Sequence, residues 1–160
     1  MPRSLIFFLL AFSSVAAQQA PYGKPAAPKP VSSGQQPPVC PWLTQGSAAK
    51  YLGGDVSLKL SSPDTPKRFC RFVQEQSQES LEILVSKDAL ISCPAASAAL
   101  RGVGNQASRC KAPGAHSEMV TGRVRDSFFT ITHSSRTKKT SSAQDDALAQ
   151  IAEQVAGNLF

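Results

Sequence analysis

Val56-Ser57-Leu58-Lys59-Leu60, Arg68-Phe69-Cys70-Arg71-Phe72-Val73-Gln74 and Leu81-Glu82-Ile83-Leu84-Val85-Ser86 are three short runs separated by turn chemistry, and they decide the fold. In the first, Val56, Leu58 and Leu60 alternate with Ser57 and Lys59, the period of a half-buried strand. Ser61 to Pro66 carries two prolines, an aspartate and serines, the composition of a turn. The second and third runs flank a polar loop of Gln, Glu and Ser. Three strands at this spacing read as an antiparallel meander.

Working back towards the N-terminus, Thr44 can cap a short helix reaching Leu52, with Ala48, Ala49, Tyr51 and Leu52 inside it. Gly53 or Gly54 can take the left-handed conformation that stops it. Residues 18–39 hold Pro21, Pro25, Pro28, Pro30, Pro37 and Pro38, and Val31 and Val39 are their only aliphatics larger than alanine. Such a segment reads as an extended, solvated tether. Ahead of it, Arg3, the apolar run Leu5–Phe12 and the small residues Ser13–Ala17 spell a secretory signal peptide over residues 1–17, with cleavage after Ala17. The apolar run is about half the length of a bilayer-spanning helix. The organisation expected is therefore a signal at 1–17, a tether at 18–39 and a single domain at 40–160.

Beyond the meander, Lys87 to Leu100 is alanine-rich and helix-prone, with Pro94 starting a second helical piece or kinking the first. A loop through Pro113 and Gly114 leads to a fourth strand at Glu118–Val124. Arg125-Asp126 turns it into a fifth at Ser127–Ser134. Ala147, Leu148, Ile151, Ala152, Val155, Ala156 and Leu159 then share one face of a helix, with Asp145, Asp146, Gln150, Glu153 and Gln154 on the other. Ser142, three residues before Asp145, resembles a capping box. This helix carries no lysine on its polar face, so it reads as a core helix and not as a membrane-surface helix.

The chain has 17 basic and 11 acidic residues, a net charge of +6. Losing Arg3 with the signal lowers it by one and leaves 143 residues, enough for one domain. The basic excess suits acidic surfaces, but it is spread along the chain as ordinary solubilising charge. Only Phe69, Arg71 and Phe72 interleave aromatics with cations, and they read as a strand, so nucleic-acid binding is not expected. Four cysteines in an exported chain imply two disulfides, with three pairings open. The absence of Cys-x-x-Cys spacing argues against a metal site built from them.

Gly102, Gly104 and Ala107 spell Gly-x-Gly-x-x-Ala, but no strand delivers these glycines to a helix as nucleotide binding requires. They read as a helix stop followed by a tight loop with positive φ angles. His133 shares a strand face with Phe129 and Ile131 and is expected at the edge of the core, hydrogen-bonded; His116 lies in a polar loop. Neither has a spaced partner for a metal. No Gly-x-Ser-x-Gly elbow marks a nucleophile. No catalytic residue, cofactor or metal is therefore expected. Arg136, Lys138 and Lys139 form the one charge cluster, and together with Arg123 and Arg125 they are the candidate anionic-contact patch.

Several features in order carry a resemblance. Cys40, Trp42-Leu43-Thr44, a short Ala-rich helix, Leu52-Gly53-Gly54 and Cys70 in a strand form one half. The Gly102-Val103-Gly104 loop with Ala107, a hairpin and a closing Ala-rich helix form the other. This resembles small exported bacterial envelope proteins, often lipoproteins, of domain-of-unknown-function families. The resemblance implies an α+β domain with an antiparallel sheet packed by helices, and a Cys40–Cys70 bridge, which leaves Cys93 to pair with Cys110. It carries over no catalytic residues. No lipidation cysteine follows the cleavage site, so neither a lipid anchor nor a transmembrane anchor is expected.

The fold expected is α+β: an antiparallel sheet of about five strands, packed by a short N-terminal helix, a middle helical segment and a C-terminal amphipathic helix, with two disulfides. The function expected is that of an exported, non-catalytic binding protein of the periplasm or extracellular space, its partner a protein or an envelope polymer. The alternatives are a small secreted hydrolase whose site assembles from distant residues, with His133 or His116 beside acids or a serine, and a secreted inhibitor presenting Ser61–Pro66.

Overall fold

The three alternating runs form β1 (Val56–Leu60), β2 (Arg68–Gln74) and β3 (Ser80–Ser86), an antiparallel meander in register from Val56 opposite Gln74 to Ser80 opposite Val73. The structure is a computed structural model that describes residues 37–62, 64–94, 97–114, 116–136 and 142–160, with side chains in the last segment from Asp146 onward. The signal peptide expected at 1–17 and most of the tether expected at 18–39 lie outside the described residues, as do the side chains of Ser142 and Asp145.

Ahead of the meander stands α1 (Gln45–Leu52), started and stopped as its sequence predicts. The Thr44 Oγ1 accepts the Ser47 N–H at 3.1 Å, and Gly53 ends the helix at φ 77°. After the meander come β4 (Ala98–Leu100), β5 (Gln106–Lys111), β6 (Ser117–Val124), β7 (Ser127–Ser134) and α2 (Ser142–Gly157). The seven strands make one antiparallel sheet in the order β1-β2-β3-β7-β6-β5-β4. Two meanders thus meet at its centre, where β3 pairs with β7.

The expectation of five strands and three helices is corrected to seven strands and two helices. The middle helix is absent from the described part of 87–100, which runs irregularly and ends in β4. Alanine content favours helix by only fractions of a kcal/mol per residue. Against it stand a disulfide at Cys93, the ring of Pro94 and the pairing of Ala98–Leu100 with Ala107–Arg109. The second missed strand, β5, has no aliphatic side chain larger than alanine and so shows no period. Gly102 (φ 80°) and Gly104 (φ 59°) take the expected left-handed conformations, but in the β4–β5 connection and not after a helix. A side chain at Gly104 would stand 2.7 Å from the Arg123 carbonyl oxygen.

The helices cover one sheet face, called inner below. Cys70, Phe72, Leu81, Ile83, Val120, Phe129 and Ile131 point into it and are buried with Trp42, Leu43 and Leu52. From α2, Leu148, Ile151, Ala152, Val155 and Ala156 join them, the stripe its sequence marks as core. Fully burying each large aliphatic or aromatic side chain contributes roughly 1.5–3 kcal/mol. Cys40 bonds Cys70 on this face. The second bridge, Cys93–Cys110, lies on the other face: Cys110 pairs with Met119, which pairs with Thr132, and none of these shares a side with the core row Ile83, Ile131, Val120. Each sheet face therefore carries one staple. No helix among the described residues is long and apolar enough to cross a membrane.

Candidate functional site

Sheet topology dictates an unusual feature of the outer face. The chain leaves β3 in the middle of the sheet and re-enters at the far edge as β4, so it must pass β7, β6 and β5. The helices occupy the inner face, and residues 87–94 take the outer one as a strap. Its start is held by Lys87, whose Nζ donates to Asp126 Oδ2 at 2.7 Å and Ser127 Oγ at 3.0 Å. That contact, chiefly the hydrogen bond from Lys87, holds the Asp126 carboxyl below its ordinary value. Its far end is held by the Cys93–Cys110 bridge and by the Cys93 N–H, which Thr121 Oγ1 accepts at 3.4 Å.

Between these anchors the strap does not lie flat. It leaves two clefts against the sheet that share Leu90 and Ile91. The smaller, about 290 Å³, lies towards Gln106, Arg123 and Phe128. The larger, about 390 Å³, lies towards Leu84, Met119, Thr130 and Thr132, with Lys67 and Glu82 also lining it. Ile91 is 71% exposed at the boundary of both, a large apolar side chain held in water by a stapled segment. Volumes near 300 Å³ and above are those of small-molecule pockets.

Of the charged residues singled out from sequence, the three that lie among the described residues do not converge. Arg123 is exposed at the end of β6 beside the smaller cleft, and Arg125 follows it in the β6–β7 turn at φ 54°. The Arg125 guanidinium lies 5.3 Å from the Phe160 ring centroid, and its Nη1 donates to the Phe160 carbonyl oxygen at 3.4 Å. Arg136 is exposed beyond Ser134, at the opposite end of the β6–β7 hairpin. Strands of this length separate the two ends by about 20 Å. Lys138 and Lys139 lie outside the described residues.

The histidines also part company. His116 is exposed at φ 59°. His133 is buried on the inner face with Phe129 and Ile131, as its strand position predicts. Its Nε2 lies 3.7 Å from Glu79 Oε2, and the Tyr51 ring meets it edge-on with centroids 5.2 Å apart. Ser135 Oγ donates to the other carboxylate oxygen, Oε1, at 3.2 Å. A hydroxyl, a carboxylate and an imidazole thus stand together, but the hydroxyl is turned to the carboxylate, and Glu79 and His133 are closed from solvent. The group ties α1, β3 and β7 together at one end of the sheet.

No protein-family model matches the chain, and neither a characterised protein nor a solved structure matches it. The site stands on its own geometry. Sequence reasoning missed the clefts because it placed Leu90 and Ile91 in a helix at Lys87–Leu100 and so had nothing crossing the outer face. The adjacent apolar pair Leu90-Ile91, two residues before a disulfide cysteine, is the signal that pointed there.

Proposed function

We propose that this is an exported binding protein without catalysis of its own, and that it binds through the outer sheet face beneath and beside the strap at 87–94. The observation that carries the reading is the strap itself, stapled at Cys93 yet standing off the sheet, with Ile91 exposed over two clefts. A binding surface held by a rigid scaffold loses less entropy on association than a mobile one. Two disulfides suit an oxidising compartment, and the signal-peptide reading of residues 1–17 supplies the route to it.

The test is affinity capture from envelope extract under non-reducing conditions, using the wild-type chain and the Ile91→Asp variant as baits. The reading expects a stoichiometric partner, protein or polymer, retained by the wild type and lost by the variant. Equal retention by both baits would remove the strap from the binding surface.

A second reading rests on Ser135, Glu79 and His133. A hydrolase would need the Ser135 hydroxyl to turn from Glu79 towards an imidazole base, and the cluster to open to substrate. Turnover of a general ester or peptide substrate that is abolished by His133→Ala in a folded variant would favour it over the binding reading.

A further inference from the structure

The two disulfides meet solvent differently. Cys40 and Cys70 are 5% and 1% exposed in the core of the inner face, whereas Cys93 and Cys110 are both half-buried on the outer face. Thiol–disulfide exchange needs a thiolate to reach a bridge sulfur. The outer bridge can therefore be attacked in the folded protein, and the inner one only after the core has opened. Accessible bridges are accordingly the labile and regulatory ones.

What the outer bridge holds is local. Of residues 87–94, only Leu90 and Cys93 are not exposed, so little apolar burial keeps the strap in place. The Lys87–Asp126 pair at its start has both side chains well exposed, an arrangement worth little in water. The Cys93 N–H contact with Thr121 Oγ1 is long, at 3.4 Å. Beyond Cys93 the chain rejoins the sheet through the three residues of β4, at its edge. The β5–β6 and β6–β7 ladders close without any strap residue.

We infer that the Cys93–Cys110 bridge is a reducible latch. A dithiol reductant opens it in the folded protein and frees the strap, while Cys40–Cys70 stays closed and holds the core. A thiolate of the reductant bonds to one bridge sulfur, and the other sulfur leaves as a thiolate that takes up a proton. The reductant's second thiol then displaces the remaining cysteine from this mixed disulfide. Two electrons and two protons pass in all: the dithiol becomes a disulfide, and Cys93 and Cys110 become thiols. Leu90 and Ile91 wall both clefts, so opening the latch moves a wall of each. The latch does not depend on the outer face being a binding surface.

The test exposes the full oxidised chain to dithiothreitol in native buffer, quenches with N-ethylmaleimide and maps the labelled cysteines by mass spectrometry. Cys93 and Cys110 should be labelled together, at least about 10-fold faster than Cys40 and Cys70, with the circular dichroism of the folded chain retained. Hydrogen exchange in the form reduced at the outer bridge alone should quicken in 87–94 and β4 and stay unchanged in β2 and β3. Oxidised glutathione should restore the slow exchange. In the variant carrying Cys93→Ser and Cys110→Ser, the strap should exchange fast from the start and be indifferent to dithiothreitol. Labelling of all four cysteines at one rate, earlier labelling of Cys40 and Cys70, or loss of the folded signal as the outer bridge opens would each overturn the latch. So would unchanged strap exchange after it opens, or a strap that still responds to dithiothreitol in the double variant.

Discussion

Cys93 is bonded to Cys110 across the outer face of the sheet, their Cα atoms 5.7 Å apart, so the disulfide that holds the strap lies on the side away from the core. The bridge closes a loop of 17 residues and the inner Cys40–Cys70 bridge one of 30. In the chain-entropy account these stabilise the fold by about 3 and about 3.6 kcal/mol. Replacing Cys93 and Cys110 together with serine should lower denaturant stability by up to that smaller amount. It should also speed amide hydrogen exchange selectively in 87–94 and β4, with β2 and β3 unchanged. Uniform acceleration across the sheet would show that the bridge holds the whole fold and not the strap.

Gly122 stands opposite Phe129 across the β6–β7 pair, and the aromatic ring fills the space a side chain would take. A Cβ at 122 would come within 2.6 Å of Phe129 Cε1 and 3.0 Å of the Gln106 carbonyl oxygen. Phe129 is fully buried and cannot swing away. Gly122→Ala should therefore cost about 1–3 kcal/mol by overpacking, despite alanine's otherwise mild character. Thermal or urea unfolding measures it.

The Lys87–Asp126 contact makes a pH prediction of definite sign. The folded carboxyl titrates below its ordinary value of 3.8, so the contact stabilises fully above that value. The contribution is lost as pH falls below 3.8 through the lower folded value. Both side chains are well exposed, so the effect is small and weakened by salt. The stability gap between wild type and Asp126→Asn should be measurable at neutral pH in low salt. It should shrink towards zero on acidification below the ordinary carboxylate range.

The reading of α2 as a core helix has its own test. Leu148 is fully buried against the sheet. Leu148→Ala should cost about 2–5 kcal/mol, the usual range for a large-to-small change in a core. A surface helix would lose far less.

Among the strands rich in large apolar residues, β1, β2 and β7 were legible to the residue, while β3 and β6 each begin one residue earlier than expected. Arg68–Gln74 and Ser127–Ser134 have the bounds that their alternation predicts, because Phe72, Phe129 and Ile131 must face the core while Arg71, Thr130 and Thr132 face away. The capped helix after Thr44 and the apolar stripe of α2 were legible for the same local reasons. β5 was not, since its inward positions are Ala107, Arg109 and Lys111, and its pairing comes from β6. The strap was not, because its path follows from where β3 and β4 sit in the sheet, a relation no local window contains. Glu79 illustrates the same limit. It reads as a loop residue, yet the Gln74 N–H bonds its carbonyl oxygen at 2.9 Å, and the closed turn buries its carboxylate beside Ser135 and His133. Thr130 and Thr132 lie on the outer face of β7, and the strap that covers that side has no local signal in their strand.

The central claim is that the outer face, under and beside the strap, is where this protein binds. Hydrogen exchange read by mass spectrometry, comparing the free chain with the chain bound to what it captures from envelope extract, tests this most directly. The account predicts protection in 87–94 and on β6 and β7 from Ser117 to Thr132, with α1 and α2 unchanged. Protection confined to the helices, or to the Arg125 turn alone, would contradict it.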